Sequence, residues 1–176
     1  MPHGSGPLIH IRTLATGPVA DVSKRGLNRA LTDAHRAVGQ TWERDFLKLH
    51  FRHGNATRYQ MKQRTVDYIK KKKRLAGLGI VEDGGFTNLV FKGHMKRMLL
   101  GQLNVTRAFP TRASVKLFGP DYLHINPKNP NMPNMAAEIL KVIPEERAVL
   151  DAVAQKQLGE SLARETAMYQ ARHETK

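Results

Sequence analysis

The sequence predicts an α+β fold, a small antiparallel β-sheet packed by long N- and C-terminal helices, organised as a single domain with an extended arm and loops. Two stretches with apolar residues every three or four positions flank a middle in which apolar and polar residues alternate. Helical period at both ends and strand period between them point to segregated elements around one core. At 176 residues, with 40% hydrophobic and 25% charged side chains, the chain is long enough to bury such a core and has a globular balance.

Residues 1–22 form an arm in which three prolines and three glycines interrupt scattered apolar residues. Its one candidate strand is Leu8-Ile9-His10-Ile11, and it is expected to order only against a partner or the body. The structural domain runs over 23–172. Ser23 is the expected N-cap of a helix of about 30 residues, on the order of 45 Å long. Its apolar face is Leu27, Ala30, Leu31, Ala34, Val38, Trp42, Phe46 and Leu49, of which Leu31, Val38, Trp42 and Phe46 are assigned to the core. Gly39 should weaken its middle, and Gly54 is placed to end it in the left-handed conformation.

A second helix is expected over Arg64–Ala76, with Val66, Ile69 and Leu75 as a narrow apolar stripe. Lys70, Lys71, Lys72 and Lys73 are consecutive, so they point to every side of it and most of the helix should be solvated. Gly77 and Gly79 stop it, and a Gly-rich loop leads to a strand at Leu89-Val90-Phe91, with Val90 inward, and a short helix over His94–Leu100. Leu103–Phe109 and Ala113–Phe118 alternate around Pro110-Thr111-Arg112, which predicts an antiparallel hairpin with one wet face and with Val115 and Leu117 in the core. Residues 121–134, crowded with proline and asparagine, read as a long surface loop and as the place where the chain would divide if it formed two units. Met135–Val142 fits either a strand or a helix, and a strand returning to the sheet is the favoured reading. Pro144 opens a last helix to about Arg172, with Glu145 and Glu146 at its positive pole and Val149, Leu150, Val153, Leu158, Leu162 and Tyr169 along its apolar face.

The chain contains no cysteine, which excludes a disulfide scaffold and a Cys-ligated metal centre. No apolar run approaches the roughly 18 residues of a membrane span, and the N-terminus lacks the order of a secretory signal. The net charge is +14, and from residue 138 onward seven acidic side chains balance six basic ones, so the excess lies in residues 1–137. Such a field faces a polyanion, an acidic partner or only counterions.

Candidate reactive groups have simpler local readings. His50 and His53 share a helical face, but no third ligand is placed by the sequence, so capping and packing are expected and no metal. Gly77-Leu78-Gly79 follows a helix and lacks the third glycine of a phosphate cradle. Glu82-Asp83 and Glu145-Glu146 fall in a turn and a first helical turn. No catalytic residue and no cofactor is therefore assigned. Arg58, Arg64, Lys70, Lys71, Lys72, Lys73 and Arg74 are the residues assigned to an assembly partner or a polyanion, with Tyr59 or Tyr68 as possible stacking neighbours.

One pattern runs through the organising stretch. His50-Phe51-Arg52, Arg58-Tyr59, Arg64, Tyr68, Lys70 to Arg74, then Leu89-Val90-Phe91-Lys92-Gly93 and Met95 to Leu100 resemble the neck or tail-completion proteins of long-tailed phages and prophages. The resemblance covers roughly residues 42–165, and Lys92 stands where that family usually has Thr. It implies a non-enzymatic virion protein at the head–tail junction, assembled in the bacterial cytoplasm. The implied partners are connector, tail-terminator or tail-tube proteins and copies of itself in a ring, close to genomic DNA and away from membranes. The alternative from the residues themselves is a nucleic-acid-binding protein that uses the basic 58–74 segment without reading sequence.

Overall fold

The structure is a computed structural model, and it describes residues 8–11, 22–81, 94–101, 104–120, 123 and 133–174. In chain order the elements are β1 (Leu8–Ile11), α1 (Lys24–Thr41), α2 (Asn55–Arg58), α3 (Val66–Gly77), α4 (His94–Leu99), β2 (Val105–Phe109), β3 (Arg112–Lys116), α5 (Met135–Ile139) and α6 (Pro144–Glu174). The predicted α+β class is the one observed, with a small sheet and long helices near the two ends. The strand predicted at Leu89-Val90-Phe91, with Val90 in the core, and the body of the 121–134 loop lie outside the described residues.

By its contacts the chain forms two compact units, and it passes between them several times. The first takes in 44–105, 116–143 and the first eight residues; the second takes in 9–43, 106–115 and 144–176.

In the second unit α1 begins as the sequence predicts, with the Ser23 hydroxyl accepting from the Gly26 N–H at 3.1 Å. Gly26, Ala30, Ala34 and Val38 are buried at intervals of four. On α6 the buried positions are Glu146, Leu150, Ala154, Ser161 and Glu165. Rows of small residues at these spacings let two helices approach closely. A Cβ at Gly26 would lie 2.9 Å from the Glu165 carboxylate. Arg29 binds Glu165 at 2.7 Å and Arg164 binds Asp33 at 2.9 Å. As the number rises on α1 the partner's number falls on α6, so the two helices are antiparallel.

The β2–β3 hairpin turns on Pro110-Thr111, and β1 completes the sheet in the order β1-β3-β2. Ala113 and Val115 are buried while Arg112 and Lys116 are exposed, the predicted alternation. Gly39 has a role its propensity conceals, because a Cβ there would meet the Thr106 methyl at 2.8 Å and Val115 at 3.3 Å. The glycine admits the hairpin against α1.

Four expectations need correction. The helix predicted to reach residue 53 keeps α geometry only to Thr41, then widens to a π turn over Trp42–Phe46 and tightens to a 3-10 turn over Leu47–Phe51. This rewinding changes which side chains face inward. Trp42 and Leu47 are buried, but Phe46 and Leu31 are only half-buried. Met135–Ile139 is helix α5 and not a returning strand, since the Asn134 side chain accepts from the Ala137 N–H at 3.0 Å and starts a helical turn. On α6 the buried stripe contains two glutamates and a serine, so an apolar pattern misplaces it. Val149 is 48% exposed, Tyr169 is also exposed, and Val153 is half-buried. On α3, Val66 is 65% exposed and does not belong to the packed stripe.

Candidate functional site

The first unit is built around a buried carboxylate. Glu138 on α5 takes a two-pronged contact from Arg64, Nη1 to Oε1 at 2.9 Å and Nη2 to Oε2 at 2.6 Å. The side chains are 6% and 10% exposed. The Lys62 backbone N–H donates to Oε1 at 2.8 Å, and Arg64 Nη1 donates back to the Lys62 carbonyl at 2.8 Å. With both carboxylate oxygens occupied, the charges satisfy each other and the intervening turn is fixed.

His50 enters from the 3-10 turn. Its Nδ1 lies 3.1 Å from the Glu138 carbonyl. Only a donor can bind a carbonyl there, so Nδ1 carries the proton and Nε2 is the bare nitrogen. Nε2 is buried with no hydrogen-bond partner among the described residues. The imidazole stacks on Tyr59 with ring centroids 3.8 Å apart and planes 20° from parallel. Burial pulls the His50 pKa down to about 4, against a weaker opposing push from the Glu138 carbonyl. The ring is therefore neutral at pH 7. His53 is exposed beyond the turn, and among the described residues there is no cluster of three potential metal ligands.

Two residues assigned to a polyanion-facing surface are placed otherwise. Arg64 is the buried partner of Glu138, and Lys72 is only 3% exposed. The packed face of α3 is Tyr68, Ile69, Lys72, Leu75 and Ala76, spaced at helical intervals, and Lys72 falls on it. Four lysines in a row cannot all be solvated once the helix has a packed side. Arg58, Lys70, Lys71, Lys73 and Arg74 are exposed, so five of the seven predicted cations face solvent.

The sequence reading missed Glu138 altogether. A signal was present, since it is the sole acidic residue between Asp121 and Glu145 and sits within the otherwise apolar run Ala136–Leu140. A lone carboxylate in such a run needs a buried cation.

Compared with family models, with curated proteins and with solved structures, the chain finds no significant match.

Proposed function

We propose that this chain is a non-enzymatic structural protein of the phage neck, acting in tail completion and head–tail joining. It would work by assembling with itself, as a closed ring or docked onto one, and with connector, tail-terminator or tail-tube proteins. The observation that supports this reading is the use made of the residues that carry the resemblance. His50, Phe51, Tyr59 and Arg64 are all buried. Of these, His50, Tyr59 and Arg64 share one cluster around Glu138, in which both carboxylate oxygens are already bound. A motif spent on holding a fold is what an assembly protein needs, since its work is geometric. What it leaves for partners is the exposed edge of α3, where Lys70, Lys71, Lys73 and Arg74 supply charge without a base-reading geometry. No helix among the described residues is long and apolar enough to cross a membrane.

The test is genetic. A stop codon early in the gene, in the phage or prophage that carries it, should yield DNA-filled heads and separate tails in electron micrographs, and the intact gene supplied in trans should restore joined particles. Normal numbers of joined, infectious particles from the stop-codon phage would overturn the reading.

A further inference from the structure

The second unit contains an open cavity of about 730 Å³ along the outer side of α1 and α6. Among the described residues five cations line it: Lys24, Arg25, Arg29 and Arg36 from α1, and Arg164 from α6. Its two carboxylates are already engaged, Glu165 by Arg29 at 2.7 Å and Asp33 by Arg36 at 3.0 Å and Arg164 at 2.9 Å. We propose that this groove binds the phosphodiester backbone of nucleic acid without reading base sequence. The inference goes beyond the neck reading and does not depend on it.

Charge is the first reason. Among the described residues of the lining, five cations less two carboxylates leave three positive charges in one concavity. The engaged arginines are not used up by their ion pairs. The Arg29, Arg36 and Arg164 side chains are 50%, 51% and 58% exposed, and a guanidinium has five N–H donors in a planar fork. The carboxylates act as braces that hold these forks at the rim.

Spacing is the second reason. Arg25, Arg29 and Arg36 lie on one face of α1, and the eleven steps from the first to the last rise about 16 Å at 1.5 Å per residue. Phosphates of one strand advance about 3.4 Å each along a duplex axis, so the row matches several successive phosphates where a small anion would occupy one point. Asn28 and Thr32 stand between the cations and are of the kind that contact phosphate and sugar.

The lining also separates nucleic acid from an acidic protein. Among the described residues Pro110 is its sole apolar one, whereas protein partners cover aromatic and aliphatic anchors, and nucleic-acid interfaces are the more polar and the more positive. The start of α1 agrees with this. Lys24 and Arg25 sit at the positive helix pole with no acidic residue in the first turn, while α3 opens with Asp67 and α6 with Glu145 and Glu146. The Glu165 carboxylate beside that first turn is already paired with Arg29, so Lys24 and Arg25 add their charge to a pole that is itself positive.

The test uses the full chain and a fluorescein-labelled duplex of about 20 base pairs of arbitrary sequence, titrated by anisotropy from about 50 to 200 mM NaCl. Binding should weaken with salt by about 0.9 log units per log of salt for each phosphate contacted. The triple change Lys24→Gln, Arg25→Gln and Arg36→Gln should lower affinity by about tenfold or more and flatten the slope by about two to three units. Asp33 keeps Arg164 in that variant, and the double change at Lys24 and Arg25, which touches no ion pair among the described residues, should show the same direction with the fold intact by circular dichroism. Changing Lys70, Lys71, Lys73 and Arg74 to Gln should leave more of the affinity and slope than the triple change does. Failure of the wild type to bind, an unchanged slope in the triple variant, or greater loss from the α3 changes would overturn the proposal. Displacement by polyglutamate as effective as by unlabelled DNA would assign the groove to an acidic protein instead, and displacement by inorganic phosphate at constant ionic strength would assign it to a small anion.

Discussion

In the first unit the pair Arg64–Glu138 is sealed from water, its side chains 6% and 10% exposed, and it fixes the turn at Lys62 from both sides. In the second unit Arg29–Glu165 and Arg164–Asp33 join two long helices, yet each arginine stays half in solvent. The same two chemical groups thus do different things in the two units. A sealed pair has no water to fall back on, so each partner makes the other indispensable. A pair with one end in solvent contributes little to folding and leaves its cation able to meet something else. Burial, and not residue type, separates the charges that hold this protein together from those it can offer to a partner.

The largest expected effect breaks that contrast directly. Glu138→Ala strands Arg64 in a dry site and should cost about 3–5 kcal/mol, read as a large fall in the urea midpoint. Glu165→Ala leaves Arg29 solvated and should cost about 1 kcal/mol or less. Equal losses would mean that the two pairs are not different in kind. Replacing the sealed pair by apolar residues, Arg64→Met with Glu138→Leu, should recover much of the lost stability, because no charge is then left unpaired.

Acid should act on the first unit next. The His50 pKa lies at about 4 in the folded chain against 6.5 for an ordinary histidine. Between those values the unfolded chain binds the extra proton, so stability is full above about pH 6.5 and falls as the pH drops towards 4. At about 1.4 kcal/mol per pH unit, the loss for full burial is about 3 kcal/mol. His35 in the second unit is shifted the same way by burial, with the carbonyls of Leu31 and Phe109 opposing. The comparison is sharpened by His50→Leu, which should flatten the pH dependence of the midpoint over this window. A profile left as steep as the wild type's would move the effect to His35 or elsewhere.

A smaller effect belongs to the second unit and its close approaches. Gly39→Ala gains helix propensity of about 1 kcal/mol. Its methyl, however, would sit 2.8 Å from the Thr106 methyl, with Val115 behind it. Overpacking of this kind costs about 1–3 kcal/mol, so a modest net loss in melting temperature is expected. A gain would show that the hairpin yields easily and that α1 does not depend on the glycine.

These cases show what the sequence made legible. Periodicity located α1, α4, the hairpin and α6, because their repeats are long or their turn chemistry is specific. It put Val38, Trp42, Val115 and Leu117 inside, and all four are buried. It failed where a polar side chain does the work of an apolar one, at Glu138, Glu146, Ser161, Glu165 and Lys72. Glu138, Ser161 and Glu165 have partners far along the chain, 74 residues away for Arg64 and Glu138, and no local pattern reports them. Five-residue α5 was misread because its N-cap, Asn134, sits in a stretch that the proline and asparagine content marked as loop.

The smallest effect on folding is expected at the exposed edge of α3, and there the comparison between sealed and open charges can be made within one helix. Lys70, Lys71, Lys73 and Arg74 are exposed, while Lys72 is 3% exposed on the packed face. Changing the four exposed residues together to Gln should shift the urea midpoint by an amount equivalent to no more than about 0.5 kcal/mol, since substitutions at solvated positions contribute little to folding. Lys72→Gln alone should exceed that, because a buried stem and charge are both lost. On the neck reading proposed above, the order should reverse in phage assembly. The fourfold variant should lower the yield of joined particles, and raised salt during assembly of the wild type should mimic it, as screening weakens the same exposed charges. Full yield from the fourfold variant would make that edge a passive solvated face. A fourfold variant that unfolds, beside a harmless Lys72→Gln, would show that α3 presents its other side to the core.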